Sequence, residues 1–223
     1  MGIMKLKDLK GKIPEKLFNV LIKEIDELRP CQEKAINQGL LNNKNLLVCT
    51  PTASGKTLIA EIALIKNILE NKGKAVYIVP LKALAREKYR DFRERYSSLC
   101  KIALSIGDMD KSDSYLSDFD LIITTSEKLD SLIRHRAPWI NKIGTIIVDE
   151  VHLLNDPGRG PTLEVTLTIL KTLLKNAQTL ALSATIGNPK ELAQWLEAEL
   201  VVDNWRPVEL KRGIYYQGKI EFY

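Results

Sequence analysis

Two stretches of the sequence carry residues whose types and spacing suit phosphate chemistry. The first is CTPTASGKT at residues 49–57, which lies between the apolar run NLLV and a helical pattern. This is the setting of a phosphate-binding loop of the form G-x-x-x-x-G-K-[ST], except that Thr50 stands where the pattern begins with glycine. The predicted cradle consists of backbone N–H groups at a helix start, on Thr52, Ala53, Ser54, Gly55, Lys56 and Thr57.

Two side chains of this loop have separate predicted roles. Lys56 is expected to reach the β- and γ-phosphates of a nucleotide, and the hydroxyl of Thr57 is expected to ligate Mg²⁺. A lysine–threonine helix start without any ligand is the alternative interpretation. The order strand, loop, helix favours the phosphate loop, because context is what confirms such a match.

The second stretch is GTIIVDEVH, in which Asp149 and Glu150 follow an apolar run. Mg²⁺ keeps several waters in its octahedral shell, so one strand-end carboxylate with Thr57 and phosphate oxygens is sufficient to hold it. Asp149 is the predicted carboxylate, and Glu150 is placed to orient and deprotonate a water for in-line attack. Two solvated acids at a strand end are the alternative, which the phosphate loop makes the weaker one.

The elements that must position these residues alternate between strands and helices. Short apolar runs predict strands at residues 45–50, 74–80, 101–107, 120–125, 144–149 and 179–185. Amphipathic stretches between them predict helices, and two further helical patterns come first, over residues 14–28 and after Pro30. Apolar strands that alternate with helices indicate an α/β fold, a parallel β-sheet with helices on both faces. Ligands of such sheets bind beyond the carboxyl ends of the strands, where both stretches lie.

The composition bears on the partner, the metal and disulfide content, and the location of the protein. Lysine and arginine number 33 against 28 acids, and the formal net charge of +5 permits a polyanionic partner without requiring one. Three cysteines without a C-x-x-C pair, together with two histidines, make disulfides and a structural zinc site unexpected. No apolar run approaches the length of a membrane span and the amino terminus lacks an apolar signal segment, so we expect a cytoplasmic protein.

With these stretches the sequence resembles a known family. Asp149-Glu150-Val151-His152 is similar to the DExH box of superfamily 2 helicases, and further motifs follow in the family's order. Gln32 in LRPCQEKAI resembles the glutamine that recognises adenine, and an amide matches the N6/N7 edge of that base. An ordinary helix-surface glutamine is the alternative.

The resemblance also implies roles for residues near the box. His152 would sit beside the γ-phosphate and couple hydrolysis to motion, with a buried structural histidine as the alternative. SAT at residues 183–185 resembles the motif that links nucleotide state to strand movement. The hydroxyls of Ser183 and Thr185 would bond the carboxylates of the box or His152, and capping of the strand end is the alternative.

Connecting stretches are similar to those of one branch of this family. PTASGKTLIAE, DEVHLLNDPGRGPTLEV, ALSATIGNPKELAQWL and WRPVELKRG resemble archaeal DNA-repair helicases of the Ski-type branch, which tolerates a residue other than glycine at the place of Thr50. The resemblance covers almost the whole chain. It implies a three-layer RecA-like domain that binds ATP and Mg²⁺. In the full-length protein it implies 3′ to 5′ translocation on single-stranded or forked DNA and unwinding at stalled forks.

Three basic residues are candidate contacts to the nucleic-acid backbone. PLKALAREK at residues 80–88 resembles a segment that touches the backbone, and within it Lys82 and Arg86 lie four apart on one helix face. Arg159 in DPGRGP is a further candidate. A solvated loop is the alternative for Arg159.

Small polar residues complete the predicted nucleic-acid contacts. TTSEKLD resembles a second backbone-contacting segment, and Thr124, Thr125 and Ser126 open a predicted helix at a strand end, which suits a phosphate. Gly107 and Asp108, in the loop GDMDKSD, are placed for a strand contact by the same resemblance.

The predicted organisation has three parts. Residues 1–28 form a helical lead-in, residues 29–205 the RecA-like ATP-binding domain, and residues 206–223 a strand or linker toward a second RecA-like domain. A helicase of this family hydrolyses ATP between two such domains, and the second supplies arginines, so we expect this chain alone to be weakly active or inactive. An RNA helicase of the same branch and a nucleotide-binding module without catalysis are the alternative functions.

Overall fold

The computed structural model describes residues 4–107, 113–209 and 211–222. The helices in these ranges are α1 (Glu15–Leu21), α2 (Pro30–Asn37), α3 (Lys56–Leu69), α4 (Lys82–Tyr96), α5 (Ser126–Arg134), α6 (Gly160–Leu173) and α7 (Pro189–Leu196). The strands are β1 (Leu46–Cys49), β2 (Lys74–Val79), β3 (Ile102–Ser105), β4 (Leu121–Thr125), β5 (Ile143–Val148), β6 (Gln178–Ser183), β7 (Glu199–Val202), β8 (Gly213–Tyr216) and β9 (Lys219–Phe222). Short 3₁₀ helices lie at Leu6–Leu9, Leu40–Asn42, Ser114–Asp118, Ile140–Lys142 and Val151–Asn155.

The first seven strands form one sheet in the order β3-β4-β2-β5-β6-β1-β7. Every pairing in this sheet is parallel, so all of its strands end at the same edge. Strands β5, β6 and β1 are consecutive neighbours, which places the residue after β5 and the loop after β1 on either side of the end of β6. The last two strands form a separate antiparallel hairpin.

Helices cover both faces of the large sheet. Successive side chains of a strand point to opposite faces. In β1, Leu46 and Val48 belong to an apolar cluster with residues of α1 to α4, whereas Leu47 and Cys49 belong to a second cluster with residues of α5 to α7. The fold is therefore a three-layer α/β/α arrangement.

Two elements differ from the sequence prediction. The helical pattern over residues 14–28 ends in the structure at Leu21, because the chain beyond it pairs with the amino-terminal segment. The N–H of Leu28 donates to the carbonyl of Met4 at 2.9 Å, and the carbonyl of Asp26 accepts from Leu6 at 2.8 Å. Strand β7 was not predicted, because its apolar run is only three residues long and only one of its side chains, that of Val201, is buried.

The amino-terminal segment packs into the same core as the helices that follow it. Leu6, Leu9, Leu17 and Leu21 are all buried in the cluster that contains residues of α2, α3 and α4. The division at residue 29 and the linker after residue 205 stay predictions.

The three cysteines lie in the interior of the fold. Cys31, Cys49 and Cys100 are buried free thiols, and burial raises the pKa of Cys49 to about 11, so this thiol is protonated at neutral pH. In the ranges described, no helix combines the length and apolar character needed to cross a membrane.

Gly144 in β5 generates a stability prediction, because β5 carries the Asp149–Glu150 pair at its far end. A Cβ on Gly144 would lie 1.9 Å from the carbonyl oxygen of Lys72, which is backbone and has little freedom to move. We expect Gly144→Ala to lower the free energy of unfolding by about 3 kcal/mol, measured by urea denaturation. Gly187→Ala is the matched control, since its Cβ meets no atom within 4 Å. Equal stability of the two variants would contradict the close approach.

Candidate active site

The loop between β1 and α3 is closed by a pair of hydroxyls. Oγ1 of Thr50 lies 2.7 Å from Oγ of Ser54, and both residues are buried. The N–H of Thr50 also donates to the carbonyl of Ser183, the last residue of β6, at 3.2 Å. Thr50 therefore anchors the loop to the sheet and spans it internally, and its side chain does what a glycine at this place is unable to do.

Two positions in the loop have a backbone with positive φ, Ala53 at 63° and Gly55 at 98°. A Cβ on Gly55 would lie 2.4 Å from Nε2 of Gln32, so both the backbone angle and the space require glycine there. Within the described residues, the N–H groups of Thr52, Ala53 and Gly55 have no protein acceptor. Unpaired N–H groups at the start of a helix form an anion site, to which the helix dipole contributes.

The ammonium group of Lys56 lies across the end of β6. Its Nζ donates at 2.8 Å to the carbonyl of Ser183, the carbonyl that also accepts from Thr50. Lys56 is half-buried, and because its Nζ shares the Ser183 carbonyl with the N–H of Thr50, its charge lies at the base of the loop. A phosphate at the loop would meet a positive charge that is already in place.

The side-chain amide of Gln32 ties the loop to α2. Its Nε2 donates to the carbonyl of Gly55 at 3.0 Å, and its Oε1 accepts from the N–H of Arg29 at 2.8 Å. These bonds use one of the two amide protons and one of the two oxygen lone pairs, which leaves one of each. Gln32 is only 3% exposed, and its predicted recognition of adenine stays a prediction.

A cleft of about 350 Å³ adjoins this amide, and Arg29, Gln32, Gly55 and Thr57 are among its lining residues. Nη1 of Arg29 donates to the carbonyl of Ala53 at 2.5 Å, so the arginine forms a wall between the cleft and the loop tip. The volume is in the range of small-ligand pockets. A larger cavity of about 520 Å³ lies between α6 and α7 near the amino ends of β1 and β6, and none of its lining residues belongs to the loop or to residues 149–152.

Asp149 is held on three sides immediately after β5. Its N–H donates to the carbonyl of Ile78 in β2 at 2.9 Å. Its Oδ1 accepts from the N–H of Glu150 at 3.0 Å, and its Oδ2 accepts from the hydroxyl of Tyr77 at 2.8 Å. Burial, together with the adjacent Asp149 carboxylate, raises the pKa of Tyr77 well above its usual value, so the phenol remains a donor.

Glu150 turns the chain from β5 into the 3₁₀ helix that carries His152, with φ of 53°. Oε2 of Glu150 lies 3.2 Å from Nδ1 of His152, within ion-pair distance but without hydrogen-bond geometry. In the described part of the chain, the hydroxyls of Ser183 and Thr185 bond neither His152 nor the box carboxylates. Ser183 is buried and Thr185 is exposed, and their predicted coupling role stays a prediction.

The oxygen donors at this edge of the sheet suit Mg²⁺ that arrives with a nucleotide. The hydroxyl of Thr57 accepts from Nζ of Lys88 at 3.4 Å, and Asp149 supplies a carboxylate. Over the described ranges, no three His, Cys, Asp or Glu side chains come together as a metal site of their own. Mg²⁺ takes phosphate oxygens and keeps waters, so one hydroxyl and one carboxylate fit its needs.

Comparisons with known proteins agree with this geometry. A sequence model of DEAD/DEAH box helicases matches residues 29–192, most of the chain. The chain belongs to the DEAD/DEAH box helicase family. The ATP-dependent DNA helicase Hel308 of Methanocaldococcus jannaschii is 59% identical over 205 residues, covering 89% of this chain and 17% of the relative. Hel308 of Pyrococcus horikoshii is 49% identical over 216 residues, covering 96% and 30%.

A solved structure supports the same family and fold. The DUF1998 helicase MrfA bound to DNA matches with a TM-score of 0.75 and 27% identity, over 86% of this chain and 30% of that chain. The predicted α/β fold and the resemblance to DExH-box helicases are thereby confirmed. This chain spans less than a third of the length of the relatives it matches.

Three residues contact the helicase motifs but were not predicted from the sequence. Tyr77 bonds Asp149, Lys88 bonds Thr57, and Arg29 supports the loop at Ala53. Each has a weak signal in sequence: a lone tyrosine in the strand KAVYIV, a lysine at the end of PLKALAREK, and an arginine three residues before Gln32. Their contacts depend on which strands and helices are neighbours, which the sequence alone does not specify.

The three basic residues predicted to contact nucleic acid differ in their exposure. Lys82 and Arg86 are exposed and one turn apart on α4. Arg159 is half-buried at the start of α6, and with Ser126, Asp149 and Glu150 it lines a cavity of about 10 Å³. That volume is close to the minimum for one water. Ser126 and Arg159, both predicted to contact nucleic acid, therefore lie beside the DExH box.

The predicted threonine contacts are already engaged within the domain. Oγ1 of Thr124 donates to the carbonyl of Ser105 at 2.7 Å. Oγ1 of Thr125 caps α5 by accepting from the N–H of Lys128 at 3.4 Å. Both threonines are buried, so a phosphate would have to exchange with these partners. Gly107 is exposed, and Asp108 lies outside the described residues.

The hydroxyl pair that closes the phosphate loop generates a prediction. Thr50→Val keeps the shape of the side chain but leaves the buried hydroxyl of Ser54 without its partner. We expect the free energy of unfolding to fall by about 1–2 kcal/mol, measured by urea denaturation. Thr50→Ser, which retains the hydroxyl, is the control and should lose less. If Thr50→Val were as stable as the parent chain, the pair would not be what closes the loop.

Proposed function

We propose that this chain is the ATP-binding motor domain of an ATP-dependent DNA helicase. One observation carries the proposal: the unpaired N–H groups and Lys56 lie at the ends of β1 and β6, next to the strand whose end carries Asp149 and Glu150. A triphosphate at the loop would therefore have the carboxylate pair close to its far end. Membership of the DEAD/DEAH box family and relatives named as DNA helicases support this function.

In this proposal each residue has a distinct task at the nucleotide. The N–H groups of residues 52–57 hold the phosphates, and Lys56 balances charge on the β- and γ-phosphates. Thr57 and Asp149 hold Mg²⁺, partly through water, and Mg²⁺ when bound neutralises charge on the phosphate oxygens. Glu150 orients the attacking water and accepts its proton. His152 faces Glu150 and couples hydrolysis to motion.

The whole helicase extends beyond this domain in the proposal. A second RecA-like domain in the same protein supplies arginines that stabilise the transferring phosphoryl group. The full-length protein then moves 3′ to 5′ on single-stranded or forked DNA and separates duplexes at stalled forks during repair. Its relatives, of which this chain spans less than a third, are named as DNA helicases, which favours DNA over RNA. Such a protein works in the cytoplasm of a prokaryote, at the nucleoid.

The role of Lys56 is tested by calorimetric binding of ATP with Mg²⁺ to the chain and to Lys56→Ala. We expect the variant to bind at least about tenfold more weakly, because a charged hydrogen bond to phosphate is lost. Exposed Lys190 provides the control Lys190→Ala, which should bind like the parent chain. Equal affinities of the chain and Lys56→Ala would contradict the assignment of the phosphate site. Hydrolysis with and without single-stranded DNA should stay near background in this isolated domain.

The surface of α4 is tested by its binding to single-stranded DNA at several salt concentrations. Each phosphate contact contributes about 0.7 to the slope of log K against log salt, so Lys82→Ala/Arg86→Ala should flatten the slope by about 1.4. Lys12→Ala/Lys16→Ala removes two positive charges from exposed positions elsewhere and is the control. The same slope change in both double variants would mean that net charge, and not α4, sets the binding. A matched RNA oligomer in the same assay separates the DNA and RNA alternatives.

A further inference from the structure

Tyr77 is a buried tyrosine whose hydroxyl is directed at the DExH box. It lies in the middle of β2, where Ile147 of β5 is its partner in the sheet register, and it is 0% exposed. Its hydroxyl donates to Oδ2 of Asp149 at 2.8 Å, while Oδ1 of the same carboxylate accepts from Glu150. Both oxygens of the carboxylate are therefore oriented by donors, one from the backbone and one from this side chain.

The ring of Tyr77 is fixed by the helix that packs over β2. Its centre lies 5.5 Å from that of Phe92 in α4, edge to face, and Phe92 lies 5.7 Å from Tyr96. Aromatic pairs at such distances pack favourably, so the hydroxyl has little freedom to leave Asp149. A hydroxyl in the core is costly unless it is bonded, and the described residues offer it no partner other than Asp149. Phenylalanine would fill the same space without that cost.

We propose that Tyr77 is a positioning residue that holds the Asp149 carboxylate in the orientation that binds Mg²⁺. This inference rests on the proposed function, because it takes Asp149 as the metal-holding carboxylate. Groups that hydrogen-bond a metal ligand orient it and tune its affinity, and their loss weakens metal binding by about 10- to 100-fold. Tyr77 would thus act on the ion through Asp149 without touching the nucleotide.

The chain contains a matched control for Tyr77. Tyr96 is also buried and also donates its hydroxyl to a carboxylate, Oε2 of Glu61, at 2.7 Å. Arg95 holds that same oxygen, at 2.7 Å, so Glu61 keeps a partner when the hydroxyl is removed. Tyr77→Phe and Tyr96→Phe therefore each delete one buried phenol hydroxyl, but only the first affects Asp149.

The test measures how Mg²⁺ changes the binding of ADP. Calorimetry gives the ADP affinity in EDTA and over a series of Mg²⁺ concentrations, for the chain and for both phenylalanine variants. Tyr77→Phe should raise the Mg²⁺ concentration for half-maximal effect by about tenfold and leave the EDTA affinity within about twofold. Tyr96→Phe should change neither quantity. In an Asp149→Ala background, Tyr77→Phe should have no further effect on the Mg²⁺ dependence.

The outcomes separate the positioning role from the proposed function. If the parent chain binds ADP in a Mg²⁺-dependent way and Tyr77→Phe has the same midpoint, the positioning role is wrong and the proposed function stands. If the parent chain binds no ADP, both are wrong. A shift of equal size in Tyr96→Phe, or one that persists without Asp149, would also overturn the positioning role. Thermal unfolding establishes that both variants fold. Phe92→Leu removes the ring contact and keeps the Tyr77 hydroxyl, and it should also raise the Mg²⁺ concentration for half-maximal effect.

Discussion

The carbonyl of Ser183 is the point on which the candidate active site depends. It accepts the N–H of Thr50 and the ammonium of Lys56, and so joins the phosphate loop after β1 to the end of β6. On the other side of β6, β5 ends at Val148, directly before Asp149. A parallel sheet makes this possible because all of its strands end at one edge, and strand order decides which loops meet there. The distance between the loop and the carboxylate pair is therefore set by a single intervening strand.

Side-chain hydrogen bonds that the sequence did not predict hold this edge of the sheet together. Thr50 closes the loop through Ser54, Gln32 holds the loop from α2, and Tyr77 holds Asp149 from β2. The side chains of Thr50, Gln32 and Tyr77 are buried, whereas Asp149 is half-buried, so these bonds are largely sheltered from water. Losing one partner would leave the other unsatisfied. Such bonds keep the N–H groups and the carboxylate in place before a nucleotide arrives, which is the condition for electrostatic stabilisation.

Periodicity and local motifs were sufficient for the strands that have a strong signal. The six predominantly apolar runs form β1 to β6, and the SGKT and DE residues follow strand ends as expected. The edge strand β7 has only one buried side chain, and the pattern after Leu21 gives way to pairing with the amino-terminal segment. Tyr77 and Lys88 were missed for a similar reason: their partners, Asp149 and Thr57, are distant in sequence and become neighbours only through tertiary packing.

We assign the phosphates of a nucleotide to the loop after β1. This assignment is tested by the backbone amide resonances of the chain, recorded by heteronuclear NMR during titration with ADP and Mg²⁺. We expect the largest shifts at residues 52–57, with further shifts at Asp149 and Glu150 once Mg²⁺ is present. Unchanged loop resonances, with shifts at the cavity between α6 and α7 instead, would contradict it.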